Sequence, residues 1–153
     1  MRHKHLLLSI MMVGGAVFLP VAPAAAASGG GCSTWSAFTG PGDSQFAVQA
    51  CISASGINYL TGDGYVKFAA ANPGLWTNCT VTIHITDTVD GYVGGRQIDC
   101  TPDARANAWY KRYESGVMNP KGGHKYETYL NVDAYYQGRY IGYAFQFSPY
   151  LTW

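Results

Sequence analysis

Four cysteines, Cys32, Cys51, Cys79 and Cys100, constrain this chain most, because all of them follow a segment laid out like an export signal. Arg2, His3, Lys4 and His5 give a basic start, Leu6 to Leu19 an apolar run, and Pro23 to Ser28 a small-residue stretch of the kind an export peptidase cuts. The apolar run is shorter than the roughly 20 residues of a spanning helix. Residues 1–27 are therefore expected to be a signal peptide and 28–153 a single secreted β-domain, with 28–44 a flexible amino-terminal arm led by glycines. An even cysteine count in an exported chain predicts two disulfides. No two cysteines lie close together, which argues against a four-thiolate zinc cluster.

Charge narrows the partners. Removing Arg2 and Lys4 with the leader leaves eight basic residues against nine acidic ones. Nothing here draws in nucleic acid or anionic lipid by bulk electrostatics, and no second apolar run reaches spanning length, so neither is expected as a partner.

The remainder reads mostly as strands. In Gln45 to Ser53, Phe46, Val48, Ala50 and Ile52 alternate against polar neighbours. Thr61-Gly62-Asp63-Gly64 has turn chemistry, with a strand resuming from Tyr65 to Ala69. From Cys79 to Thr86, Val81, Ile83 and Ile85 share one face while Thr80, Thr82, His84 and Thr86 share the other. Asp90-Gly91 marks a reversal that brings Tyr92 to Cys100 back alongside. A strict two-residue turn would set Cys79 against Pro102, so bringing Cys79 opposite Cys100 requires a longer loop or a bulge at Gly94-Gly95. Of the three possible pairings, this hairpin makes Cys79 with Cys100 and Cys32 with Cys51 the expected one.

Thr101-Pro102-Asp103 resembles a helix start and Gly116 a stop, which sets a short helix slightly ahead of a strand over 102–115. Ala106, Ala108 and Tyr110 also alternate as a strand would. In the last third, Tyr126, Thr128, Leu130, Val132, Ala134 and Tyr136 share a face, and Gln137-Gly138 turns the chain. Ile141, Tyr143, Phe145 and Phe147 are expected to continue that apolar face on the return strand. Six or seven such strands, with at most one short helix, predict an all-β fold: an antiparallel sandwich or partly open barrel held by two disulfides.

Chemistry is scarce in the pattern. His84 and His124 have no second histidine at metal-binding spacing and read as surface residues, so no metal and no cofactor is expected. No serine elbow is present, and paired cysteines leave no thiol nucleophile. Asp63, Asp87, Asp90, Asp99, Asp103, Glu114, Glu127 and Asp133 offer many carboxylate pairs and single out none, so the chain is not expected to be an enzyme. Asp63 and Asp90 adjoin glycine without the register of a calcium loop.

Aromatic content is the positive signal. Twelve tyrosines and four tryptophans suit protein interfaces and sugar-binding surfaces, although tyrosine also favours strands for their own sake. Tyr129 and Tyr135 fall opposite the face of Leu130 and Val132, and Trp109, Tyr110 and Tyr113 are mixed with the basic Lys111 and Arg112. These five form the candidate binding face. The composition fits a secreted non-enzymatic protein-binding module, with a carbohydrate-binding module or an inhibitor of an extracellular hydrolase as alternatives. An inhibitor would present a braced loop such as 119–125.

With its leader, size and paired cysteines, and with Val48-Gln49-Ala50-Cys51-Ile52, Asn78-Cys79-Thr80-Val81 and the ending Ser148-Pro149-Tyr150-Leu151-Thr152-Trp153, the chain resembles small exported proteins of actinobacteria. Among these it is similar to the adaptor subunits of umbrella toxin particles, in which a small β-rich protein joins a lectin-like subunit to the toxin-bearing one. The resemblance implies an adaptor role in bacterial competition, with toxicity residing in a partner, and carries over no functional residue. Actinobacterial amylase and protease inhibitors share the same two-disulfide layout.

Overall fold

Alternation of apolar and polar residues governs the computed structural model, which describes residues 27–153; the leader expected over 1–27 lies, but for Ala27, outside the described residues. In chain order the elements are β1 (Ser28–Gly29), β2 (Gly31–Cys32), β3 (Ser36–Thr39), β4 (Gln45–Ala54), β5 (Tyr59–Ala69), β6 (Trp76–Asp87), β7 (Gly91–Asp99), α1 (Thr101–Arg105), β8 (Lys111–Met118), β9 (Lys125–Tyr136), β10 (Arg139–Phe147) and β11 (Leu151–Thr152). A six-stranded sheet runs β1-β11-β9-β6-β7, with β10 also on β9; a five-stranded sheet runs β2-β4-β5-β8, with β3 also on β4. All pairings are antiparallel. The fold is an all-β sandwich with one short helix and two disulfides, and it is not a closed barrel.

The two inner faces meet as the alternation requires. Phe46, Val48, Val66 and Phe68 from the smaller sheet pack on Trp76, Val81, Ile83, Leu130, Val132 and Tyr136 from the larger one. Each large side chain withdrawn from water here contributes about 1.5–3 kcal/mol before chain entropy is counted. Ile52, Leu60, Ile85, Tyr126 and Leu151 form a smaller cluster.

Five local expectations change. Thr61 to Gly64 is not a turn: β5 runs through it, and the reversal lies earlier, where Ser55 N–H donates to the Tyr59 carbonyl and Gly56 takes φ +77°. Gly62 and Gly64 lie on the inner face, where Thr128 and Ile85 approach the first and Leu130 fills the room beside the second. Glycine in a strand interior here marks close approach of the opposite sheet.

The β6–β7 loop has three residues, Thr88 to Asp90, and the register slips between Ile85 and Thr86, which leaves Val93 unpaired rather than Gly94-Gly95. Loop and bulge together bring Cys100 N–H onto the Cys79 carbonyl, and the disulfides are Cys79–Cys100 and Cys32–Cys51.

Over 102–115 both readings are partly right. The helix ends at Arg105, well short of Gly116, because Asn107 takes φ +50° and aims its amide at Ala70, accepting the Ala70 N–H and donating to the Ala70 carbonyl. The strand follows from Lys111. Thr101 is not the cap; its hydroxyl accepts the Cys79 N–H, and Asp99 accepts the Thr101 N–H.

The largest change is on β10. Tyr140 pairs with Tyr135 but Gly142 with Ala134, so Ile141 is an extra residue, accommodated by Gly142 at φ +129°. One inserted residue sends every later side chain to the other face. Tyr143, Phe145 and Phe147 therefore do not continue the core; they point outward, and Ala144 is buried instead. Residues 28–44, expected as an arm, carry β1 on β11 and both β2 and β3 on β4.

Candidate functional site

The flipped register of β10 puts large rings on the outer face of the six-stranded sheet. Phe147 pairs with Tyr129, Phe145 with Asn131 and Tyr143 with Asp133, while Tyr129 pairs on its other side with His84. Their rings touch in sequence: His84 to Tyr129 at 4.5 Å between centroids, Tyr129 to Phe147 at 5.1 Å, Phe147 to Phe145 at 6.1 Å, and Phe145 to Tyr143 at 5.9 Å. Tyr92 of β7 extends the row beyond His84, at 5.6 Å. Tyr92, Tyr143, Phe145 and Phe147 are between 45% and 65% exposed. A contiguous apolar patch of this kind is unusual on a surface that has nothing to bind.

His84 is not a free surface residue. It is half-buried between Tyr129 on β9 and Gly95 on β7, and Gly95 carries no side chain to cover it. Burial lowers its pKa, so it favours the neutral ring.

Tyr135 packs at a tilt against Tyr140, 5.1 Å between centroids, near the Gln137-Gly138 turn, and the Tyr140 hydroxyl donates to Asp133. Burial, followed by that hydrogen bond, pushes the Tyr140 phenol up to about 12.

The other expected residues lie elsewhere. Trp109 and Tyr110 lie just before β8 against the five-stranded sheet, where Tyr110 stacks on Tyr65 at 4.8 Å and meets Trp35 at a tilt, 6.0 Å between centroids. Lys67 lies among these rings, its Nζ 3.9 Å from the Trp35 centroid and 5.0 Å from that of Trp109. Tyr113 leaves the face altogether: it pairs with Gly64 on the inner side, is 4% exposed, and its hydroxyl donates to Asp103 at 2.8 Å. Burial and then that bond hold its phenol protonated.

Of the five candidates, then, Tyr129 and Tyr135 belong to one outer face and Trp109 and Tyr110 to the other. Sequence reasoning missed Phe145, Phe147, Tyr143, His84, Trp35 and Lys67. The spacing grouped Tyr143, Phe145 and Phe147 correctly and named the wrong side; nothing local points to Trp35 or Lys67, which meet Tyr110 and Trp109 respectively only through tertiary structure.

A third cluster gathers Asp87, Asp90 and His124, with ligand-type atoms all within 4.8 Å of one another. His124 Nδ1 lies 2.8 Å from Asp87 Oδ2, and Lys121 Nζ lies 2.6 Å from Asp90 Oδ2. Burial alone would raise the Asp87 pKa, but hydrogen bonds from the Val89 N–H, His124, the Tyr126 hydroxyl and the Asp90 N–H outweigh it and lower the value. The cluster clasps the 119–124 loop to the β6–β7 turn, so that loop is braced by the Lys121–Asp90 ion pair and the His124–Asp87 hydrogen bond rather than by a disulfide. Among the described residues no helix is long and apolar enough to cross a membrane.

No protein-family model matches the chain, and no curated protein does. Among solved structures it is similar to a glycosyl hydrolase family 2 member from Bacteroides cellulosilyticus, at a TM-score of 0.43 and 11% identity over 77% of this chain. The chain spans 15% of that protein's length.

Proposed function

We propose that the chain is a secreted, non-enzymatic protein-binding module that docks through the aromatic row on the outer face of its six-stranded sheet. The observation that carries this reading is the run of contiguous rings from Tyr92 through His84, Tyr129, Phe147 and Phe145 to Tyr143. Interface cores are rich in aromatic groups and poor in charge, as this strip is. A sugar platform needs ring faces turned to solvent, whereas His84 and Tyr129 turn their faces to each other, with planes 24° apart. Phenylalanine offers no polar tip for sugar hydroxyls, which also favours a protein partner.

Export is supported by the leader-like amino terminus and by two disulfides, which persist in oxidising surroundings. The finer reading is an adaptor in an extracellular antibacterial complex, joining larger toxin-bearing and lectin-like subunits; its support is the resemblance in leader, size and cysteine layout. Inhibition of an extracellular hydrolase is the competing reading; its support is the braced 119–124 loop and the two-disulfide layout shared with actinobacterial inhibitors.

The test is affinity purification of the tagged protein from the culture medium of its own host, followed by mass spectrometry. A large secreted subunit in stoichiometric amount supports the adaptor. A captured hydrolase supports inhibition, and retention on polysaccharide alone, dependent on this row, overturns the protein-docking reading.

A further inference from the structure

On the opposite side of the sandwich, Lys67 of β5 stands among aromatic rings and has no ion-pair partner among the described residues. Its ammonium lies 3.9 Å from the Trp35 centroid, 5.0 Å from that of Trp109 and 5.9 Å from that of Tyr110. The acids of β5 and β8 and of the neighbouring α1 are already engaged: Arg112 bridges Asp63 at 2.7 Å and Glu114 at 3.0 Å, and Lys111 holds Asp103 of α1 at 3.1 Å. Cation–π contacts of this kind hold an ammonium in place and leave its charge without an anion.

Beside Lys67 and Trp109 lies a small cavity of about 100 Å³, lined mainly by apolar groups that include Ala37, Ala47 and Ala69, with Gln45 as a polar group. The three alanines come from adjacent strands, with Ala37 paired to Ala47 and Ala47 to Lys67, so they form a floor with no tall side chain. Trp109, 72% exposed, makes a wall. Tyr110 next to it takes φ +80°, a backbone state that a bulky residue rarely adopts and that tends to collect at ligand sites.

We infer that this Lys67–Trp109 cavity binds a carboxylate-bearing pyranose, a uronic acid unit of an acidic polysaccharide. The CH face of one ring lies against the indole, Gln45 meets hydroxyls, and the carboxylate reaches the Lys67 ammonium. A neutral sugar would leave the lysine charge unmatched. An aspartate or glutamate side chain could satisfy the charge but carries no apolar ring face of its own to set against Trp109. The site is separate from the aromatic row of the six-stranded sheet and does not depend on it.

Tryptophan fluorescence of the leader-free chain, titrated with oligogalacturonate and with oligomannuronate, tests the inference. At least one of them should give a saturable change. The methyl-esterified oligomer should bind about tenfold or more weakly, and so should Lys67→Met and Trp109→Ala variants that keep the wild-type strand signature by circular dichroism. Lys67→Arg should retain most of the binding, and Phe145→Ser on the opposite face should leave it unchanged while weakening protein capture. Lack of a saturable response to either acid, equal binding of the methyl ester, undiminished binding by Lys67→Met, or tighter binding of a glutamate-rich peptide would each overturn it.

Discussion

The imidazole of His84 lies face to face with the phenol ring of Tyr129, centroids 4.5 Å apart, and this stack is where strands β6 and β9 join one outward aromatic row. Burial lowers the His84 pKa from its ordinary 6.5, so the unfolded chain binds the proton more readily than the folded one. Stability from neutral His84 is therefore fully present above about pH 6.5, and it is lost as the pH falls from there through the lower folded-state value. Protonation also places a charge in the middle of the docking strip. Partner capture and thermal stability should both decline between pH 7 and pH 5, and His84→Gln should flatten that dependence. Equal pH profiles for wild type and variant would contradict this.

Phe145 and Phe147 are about half exposed, so removing them alters the surface more than the core. Phe145→Ser with Phe147→Ser should shift stability by about 1 kcal/mol or less, as surface changes do, and should abolish partner capture. Chemical denaturation and capture on the same preparations separate the two effects.

Tyr113 should behave oppositely. Its hydroxyl is buried and bonded to Asp103, so Tyr113→Phe should lower stability by about 1–2 kcal/mol and leave partner binding unchanged. A loss of binding at unchanged stability would return Tyr113 to the binding face.

Asp87 is buried, and its carboxylate takes up four hydrogen bonds. Its lowered pKa means that its contribution is present above about pH 3.8, the ordinary value, and is lost as the pH falls through the folded-state value. Asp87→Asn should cost about 2–3 kcal/mol at neutral pH and remove part of the acid-unfolding limb. Denaturant midpoints at pH 7 and pH 3 would show a smaller difference for the variant than for wild type.

The two disulfides differ in access. Cys79 and Cys100 are fully buried, whereas Cys32 is exposed on the outer side of the five-stranded sheet. Mild thiol reductant should open Cys32–Cys51 first, read by alkylation and peptide mapping. Replacing both Cys79 and Cys100 by alanine should cost about 3 kcal/mol. Opening of Cys79–Cys100 first would contradict the placement.

Much of the architecture was legible because alternation is a local signal. The inner faces of β4, β6 and β9 are the ones their spacing indicates, and the Cys79–Cys100 bridge followed from the hairpin that carries it. What failed did so at single-residue insertions and at glycines. Period-two spacing groups Tyr143, Phe145 and Phe147 but cannot say which side they face, since the unpaired Ile141 reverses it. Apolar character argued for the core, and buried Ala144 was too small to argue back. Gly62 and Gly64 look like turn residues until the opposing Thr128 and Leu130 are seen to need their space. The Trp35–Lys67–Trp109 cluster joins segments far apart in sequence, so no local pattern could announce it.

Capture from host culture medium by wild-type protein, run beside the folded Phe145→Ser, Phe147→Ser double variant, tests the docking surface most directly. The account predicts a stoichiometric secreted polypeptide on the wild type and its absence from the variant. The same polypeptide on both would show that the aromatic row is not where this protein meets its partner.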